Sequence, residues 1–283
     1  MPDPVDLLLI TWNRRHYAEK TIANLLADPA DFRLYCWDNA SEDGTADLIA
    51  SLDDPRIVVK HFSRKNLKQK VPCLWFFEMA ESDVIGKVDD DILLPHGWIE
   101  RIAPMVRAEP RFGMVGCWVF MEDDWDEELA QQRSMSIGGF SIQPSIGFAG
   151  CAFLCRTAHA RRYAVLTDSG IPLNRTRMTL DGLVHGCALP VLFAHHMDDP
   201  RSPHYVGGGL DRPDASLTAR NHGFRDEAAY AAWIARDARR ACAADYASDL
   251  RDLRIVNRWG RVGRRVVVLR KRVLGSSSRG GRR

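Results

Sequence analysis

Val84-Ile85-Gly86-Lys87-Val88-Asp89-Asp90-Asp91 is an apolar run that ends in three successive carboxylates, and its reading decides the fold. Val84–Val88 reads as a buried strand. Carboxylates crowded at the close of such a strand repel one another. At an effective dielectric near 20 each close pair costs on the order of 4 kcal/mol, falling to about 1 in open water. A divalent cation removes that cost, and Mg²⁺ or Mn²⁺ is typically held by one or two carboxylates plus substrate phosphates. The competing reading is a solvated acidic turn.

Around this stretch, short apolar runs alternate with helix-like segments. Strands are expected at Val5–Thr11, Phe32–Trp37, Ile57–Phe62 and Gly113–Val119, and helices at His16–Leu26, Thr45–Leu52, Val71–Glu81 and Pro95–Ala108, the last begun by its proline. Strands separated by helices predict an α/β fold with a mostly parallel sheet covered on both faces. Ligands of such sheets bind beyond the carboxyl ends of the strands. Thr11–Arg14, Asp38–Gly44, Arg64–Asn66 and Asp89–Asp91 all follow expected strands, so one edge should gather them. Neither a dinucleotide fingerprint nor a P-loop is present. Lys65 and Lys87 are candidates to offset phosphate charge, against a default of solvated lysines.

The second half is less regular. Strands are expected at Phe148–Arg156 and Pro190–Ala194, a short helix at Met178–His185, a long loop at His195–Asn221, and an alanine-rich helical stretch at Asp226–Leu250. A structureless stretch of that length tends to be a functional lid. Gly207-Gly208-Gly209 within it reads as flexible loop. Trp118, Phe120, Trp125 and Phe148 are aromatics that either stack on a ligand or pack the core.

The 283 residues carry 46% hydrophobic and 27% charged side chains, which excludes a disordered chain, a collagen-like fibre and a small disulfide scaffold. Seven cysteines without a C-x-x-C pair read as reduced, buried thiols rather than a metal–thiolate site. Apolar runs such as Leu7–Ile10 and Val266–Leu269 fall far short of the ~20 residues that span a bilayer. Asp3 and Asp6, with no basic residue before the first apolar run, speak against a signal peptide. Net charge is +2, but residues 251–283 hold twelve Lys/Arg and one acid, which leaves the rest at −9. Ile255, Trp259, Val262, Val266, Leu269 and Val273 form a narrow apolar stripe flanked by cations, the pattern of a helix lying on an anionic membrane. Packing of that stripe on the protein's own body is the alternative, and nucleic acid is not an expected partner. Residues 275–283 are expected to be disordered.

Leu9-Ile10-Thr11-Trp12-Asn13-Arg14, Trp37-Asp38-Asn39-Ala40-Ser41-Glu42-Asp43-Gly44-Thr45, Asn66 and Val88-Asp89-Asp90-Asp91 together resemble the inverting nucleotide-sugar glycosyltransferases of family 2, which have the GT-A fold. The resemblance covers about residues 5–225, followed by a helical extension at 226–274. It implies a metal-dependent transfer of a sugar from a nucleoside diphosphate, uridine- or thymidine-linked, to a hydroxyl of a glycan or glycolipid. The implied setting is synthesis of cell-surface polysaccharide, and its placement at the cytoplasmic face of the membrane rests on the basic C-terminal segment alone. Carried over by position, the resemblance makes Thr11 and Asn13 the entrance of the nucleotide pocket. Asp38 becomes the acceptor of a hydrogen bond from the base, with Asn39, Asn66, Asp89 and Asp90 as further donor-binding residues. It makes Asp91 the ligand of Mg²⁺ or Mn²⁺, and Gly150 part of a small-residue acceptor wall. A histidine near the metal or diphosphate is also implied. His195 and His196 stand at that place, with His204 a further candidate, and strand alternation lets only one of the adjacent pair reach an ion. Asp181 is the implied general base, although Leu180 stands where the family has an acid. Capping of its helix, and Asp168 or Glu122–Asp124 as the base instead, remain open. So do two other functions, a sugar nucleotidyltransferase and a catalytically inactive binding module.

Overall fold

The computed structural model describes residues 3–147, 150–166, 171–210 and 216–258. Contacts divide the chain into two compact units, Met1–Ala244 and Asp245–Arg283. In the first unit β1 (Val5–Thr11), α1 (Arg15–Ala27), β2 (Phe32–Asp38), α2 (Thr45–Ser51), β3 (Ile57–Phe62), α3 (Lys70–Met79) and β4 (Val84–Asp89) follow in the expected alternation. After them come β5 (Ile92–Leu93), α4 (Trp98–Ala108), β6 (Phe112–Gly116), α5 (Glu127–Arg133), β7 (Met135–Ile137) and β8 (Phe140–Pro144). The unit continues through β9 (Ala152–Arg156), α6 (Thr157–Tyr163), α7 (Arg175–Leu180), β10 (Val184–Leu189) and β11 (His195–His196) to α8 (Leu217–Asn221) and α9 (Glu227–Ala243).

Among the described residues the main sheet has nine strands in the order β3-β2-β1-β4-β9-β6-β10-β8-β7. Leu7, Leu8 and Leu9 of β1 are fully buried, as a near-continuous apolar run in a parallel strand covered on both faces must be. β1 pairs in parallel with β2 on one side and with β4 on the other. The chain therefore winds outward through β2 and β3, then returns to cross β1. That reversal of winding opens a crevice at the carboxyl ends of β1 and β4, where sheets of this kind bind ligands.

The far half departs from the parallel expectation. β9 runs antiparallel to both β4 and β6, and β7 and β8 form a hairpin at the edge. This hairpin, rich in Gly and Ser, occupies a stretch in which no strand was expected. α4 begins at Trp98 after Gly97 in the left-handed region (φ +73°), rather than at Pro95. The helix expected at Met178–His185 stops at Leu180, and His185 lies in β10. Pro190–Ala194 contributes only a bridge between Phe193 and Trp118.

α9 is capped by Asp226, whose carboxylate accepts from the Ala228 and Ala229 amides, and it buries Ala238 and Cys242 in the main core. The compact unit thus extends to Ala244, beyond the boundary expected near residue 225. In the second unit residues 246–258 are helical, with Ile255 and Val256 exposed. The rest of the apolar stripe, and the 275–283 segment, lie outside the described residues. No helix among the described residues is long and apolar enough to cross a membrane.

Candidate active site

Two loops build the first wall of the crevice. Asp38, at the end of β2, accepts from the Thr11 hydroxyl (3.0 Å) and from both the amide and hydroxyl of Ser41 (2.9 and 2.6 Å). Asn13 adopts a positive φ of 51°. Its amide donates to Ser41 Oγ (2.9 Å), and its side-chain oxygen accepts from the Glu42 amide (2.7 Å). The β1 and β2 loops are thereby stitched together. Asp38 is 1% exposed, and these hydrogen bonds all turn inward.

Asn39 anchors the next loop. Its Oδ1 accepts from Trp37 Nε1 (3.0 Å) and the Leu67 amide (3.1 Å), while its Nδ2 donates to the Lys68 carbonyl (3.1 Å). Asn66 closes the turn by accepting from the Lys68 amide (2.7 Å). Asn39 is thus a buried support for the segment carrying Asn66 rather than an exposed contact.

The carboxylates after β4 separate into two groups. Asp89 pairs with Lys87, which is 2% exposed, so Lys87 is a buried counter-ion rather than a solvated lysine. Lys87 also donates to the Gly150 carbonyl (3.2 Å). Burial pushes the Asp89 carboxyl up, opposed by Lys87. Asp90 and Asp91 turn instead toward Arg14. Its Nη1 lies 2.8 Å from Asp91 Oδ2 and 3.5 Å from Asp90 Oδ1, and its Nη2 lies 3.0 Å from Asp198 Oδ2. The guanidinium also rests 4.7 Å above the centre of the Tyr17 ring. Burial pushes Asp90 up to about 7, whereas Arg14 and His196 outweigh burial at Asp91 and hold it below the usual carboxylate range.

His196 reaches Asp91 because β11 pairs antiparallel with β5, the strand that follows the triple Asp, and the Met197 amide donates to the Asp91 carbonyl (2.8 Å). His196 Nε2 stands 3.3 Å from Asp91 Oδ2. Its pKa is raised to about 9, since Asp91 outweighs the opposing effect of burial. His195 points the other way and meets Ser202 Oγ at 2.7 Å, and His204 lies within 3.5 Å of Lys20. Alternation along the strand therefore selects His196.

Hard carboxylate oxygens beside a neutral-capable imidazole suit Mg²⁺ or Mn²⁺. Among the described residues no three such side chains form a closed cluster. Two converging donors, Asp91 and His196, nevertheless fit an ion whose remaining ligands come from substrate phosphate.

Gly150 keeps its place for a packing reason. A Cβ there would sit 1.9 Å from Ile171 Cδ1. Phe148 and Ala149 of the expected acceptor wall lie outside the described residues. Beyond β6, the turn Glu122–Asp124 stands at the same edge, where Arg201 ties Asp124 (2.9 Å) to Asp199 (2.6 Å).

Asp181 is not brought to this site. It follows α7 and precedes β10, whose first residue, Val184, pairs with Phe112 at the start of β6. Both β4 and β6 run antiparallel to β9, so β10, β6 and β4 are mutually parallel. Asp181 thus lies at their amino ends, separated from the Asp89–Asp91 edge by a strand length of about 20 Å. Its partners belong to that edge: Tyr163 Oη donates to it (3.0 Å), with Arg177 at 3.3 Å and Arg162 at 3.7 Å. The hydrogen bond from Tyr163 and the two arginines lower its pKa, the reverse of what a base needs. Asp168 lies outside the described residues.

Arg14 and Asp198 were not singled out from the sequence. Arg14 closes the quoted string Leu9–Arg14 and Asp198 stands two residues after His196, but no spacing rule pairs residues 184 positions apart.

A family model described as Glycosyl transferase family 2 matches residues 6–170. Mannosyltransferase PcManGT from Pyrobaculum calidifontis, solved in complex with GDP-Man and Mn2+, aligns with a TM-score of 0.56 at 15% identity, over 93% of this chain and 80% of that one. S. aureus TarS 1-349 in complex with UDP-GlcNAc aligns at 0.53 and 12% identity, over 68% of this chain and 58% of that one. At such identities the likeness shows the fold. No curated protein matches the sequence.

Proposed function

The chain belongs to glycosyl transferase family 2, and from that premise we propose that it is a metal-dependent, inverting nucleotide-sugar glycosyltransferase whose donor lies in the crevice between β1 and β4. The observation that carries this reading is the convergence of Asp91 and His196 at the winding reversal of the sheet, 3.3 Å apart. Mg²⁺ or Mn²⁺ bound there supplies charge neutralisation for the departing nucleoside diphosphate. Asp91 and His196 are the residues that hold it.

The other side chains orient and enclose. Thr11, Asn13 and Asp38 lock the two loops that flank the nucleotide, and Asn39 fixes the segment bearing Asn66. Lys87 pairs with Asp89 and also donates to the Gly150 carbonyl, tying the two together. Segment 202–209 is strapped across the front of α1 and α9, since the Val206 amide donates to Tyr17 Oη (3.1 Å) and the Gly209 amide to Glu227 (2.9 Å).

Inversion requires one base to take the acceptor hydroxyl's proton. Of the carboxylates named for this from the sequence, Glu122–Asp124 stands at the carboxyl edge and Asp181 does not. The uridine or thymidine donor rests on the resemblance, which makes Asp38 an acceptor toward the base, whereas in the structure Asp38 is taken up by Thr11 and Ser41; a glycan or glycolipid supplies the hydroxyl. The second reading, a binding module without turnover, is favoured by the position of Asp181.

The test is a panel of UDP-, dTDP- and GDP-sugars incubated with Mn²⁺, with release of nucleoside diphosphate measured. Release that disappears in Asp91→Asn supports the enzyme. Nucleotide binding without release from any donor, with a range of glycan acceptors present, supports the module.

A further inference from the structure

We propose that Arg14 is the resident counter-ion of the carboxylate cluster and makes divalent-ion binding conditional on the nucleoside diphosphate; this rests on the nucleotide-sugar reading. Three carboxylates from separate parts of the chain, Asp90 and Asp91 after β4 and Asp198 after β11, converge on one guanidinium at 2.8 to 3.5 Å. All four side chains are 13% exposed or less. A guanidinium cannot be deprotonated in a protein, so its charge is permanent. Burial disfavours that charge, but Asp91, Asp90 and Asp198 more than restore it.

The consequence is electrostatic. With Lys87 on Asp89 and Arg14 shared by the other three, two fixed cations already stand among the four carboxylates and weaken their pull on a further cation. A bare divalent cation approaching Asp91 and His196 meets a fixed positive charge already seated on Asp91 Oδ2, the oxygen that faces His196. A nucleoside diphosphate reverses the balance, because its oxygens bring the charge that a guanidinium attracts. The same side chain therefore opposes the ion alone and favours the ion–diphosphate pair. Arg14 is a positioning residue in this scheme. It holds Asp91 toward His196 and Asp198 against the β1 loop, while the Tyr17 ring supports its planar face.

The experiment measures Mn²⁺ binding by the intact chain, from the electron paramagnetic resonance of free Mn²⁺, with and without UDP or GDP. The wild-type protein should bind Mn²⁺ at least about tenfold more weakly without nucleotide, and Arg14→Gln should bind bare Mn²⁺ about tenfold or more tighter than wild type. Arg14→Lys retains a charge and should stay within about threefold of wild type. An Arg14→Gln protein that is folded yet binds bare Mn²⁺ no more tightly overturns the proposal. So does a lysine variant that behaves like the glutamine one. If Arg14→Gln does not fold, the wild type decides alone, since equal Mn²⁺ affinity with and without nucleotide also overturns it. Absence of Mn²⁺ and nucleotide binding under every condition would instead overturn the functional reading of the site.

Discussion

Asp91 Oδ2 accepts from Arg14 and lies 3.3 Å from His196, so the charge of Asp91 holds the internal network and is the one proposed to hold the ion. Asp91→Asn keeps the shape and removes that charge, and donor turnover should fall by about 10²-fold or more. Asp181→Asn is expected to change transfer by less than about threefold, because the residue lies a strand length from the crevice. Assay of both variants on one donor checks the pair, and a collapse of transfer in Asp181→Asn would return that residue to the mechanism. His185, expected near a catalytic helix, is instead buried in β10, where its Nδ1 accepts from the Met114 amide (2.9 Å). Burial lowers its pKa from 6.5 to about 4. Between those values the unfolded chain binds more protons than the folded one, so stability rises with pH and is lost as pH falls from 6.5 toward 4. That linkage is worth about 2 kcal/mol between pH 7 and pH 5. Urea unfolding at the two pH values should show it, and His185→Gln should flatten the difference. At this scale motif residues were legible from their strings, and strand alternation foresaw that at most one histidine of the pair would turn toward the carboxylates. Which one depended on the register of β11 against β5, a pairing across about 100 residues.

Loops and helix ends set the crevice at the scale of elements. The segment 66–68 has no strand or helix of its own and depends on two hydrogen bonds with Asn39. Asn39→Ala leaves the Leu67 amide and Lys68 carbonyl without that partner and should cost about 1–3 kcal/mol. Thermal or chemical unfolding checks the cost. α9 holds the strap through its first turn, since Glu227 accepts from Tyr205 Oη (3.1 Å) and from the Gly209 amide. Glu227→Ala should raise hydrogen exchange at Gly209 by about tenfold or more while leaving β1 and β4 protected. The first seven elements were readable because apolar periodicity and polar turns agree there. The β7–β8 hairpin was not. Its Gly138 and Gly139, both at positive φ, make a two-residue turn between strands of only 3 and 5 residues, too short for alternation to stand out.

For the whole molecule, the compact unit ending at Ala244 contains the crevice, the strap and α9. Removal of residues 251–283 should therefore leave donor turnover intact and abolish association with anionic liposomes, as measured by flotation; liposome binding that persists in the truncated chain would refute the membrane role of the basic segment. What the sequence determined by itself was local. Buried strands, polar turns at their carboxyl ends and a triple carboxylate needing a counter-charge all follow from neighbouring residues, and together they specify an α/β sheet with its polar residues gathered at one edge. What only the tertiary structure decided was which distant charges meet. Arg14, Asp91 and Asp198 come together because the sheet reverses its winding between β1 and β4 and because β11 folds back on β5. Asp181 is kept away because the strand after it runs parallel to β4 and begins at the opposite edge. Electrostatic energy depends on distance through space, and no local pattern encodes that distance.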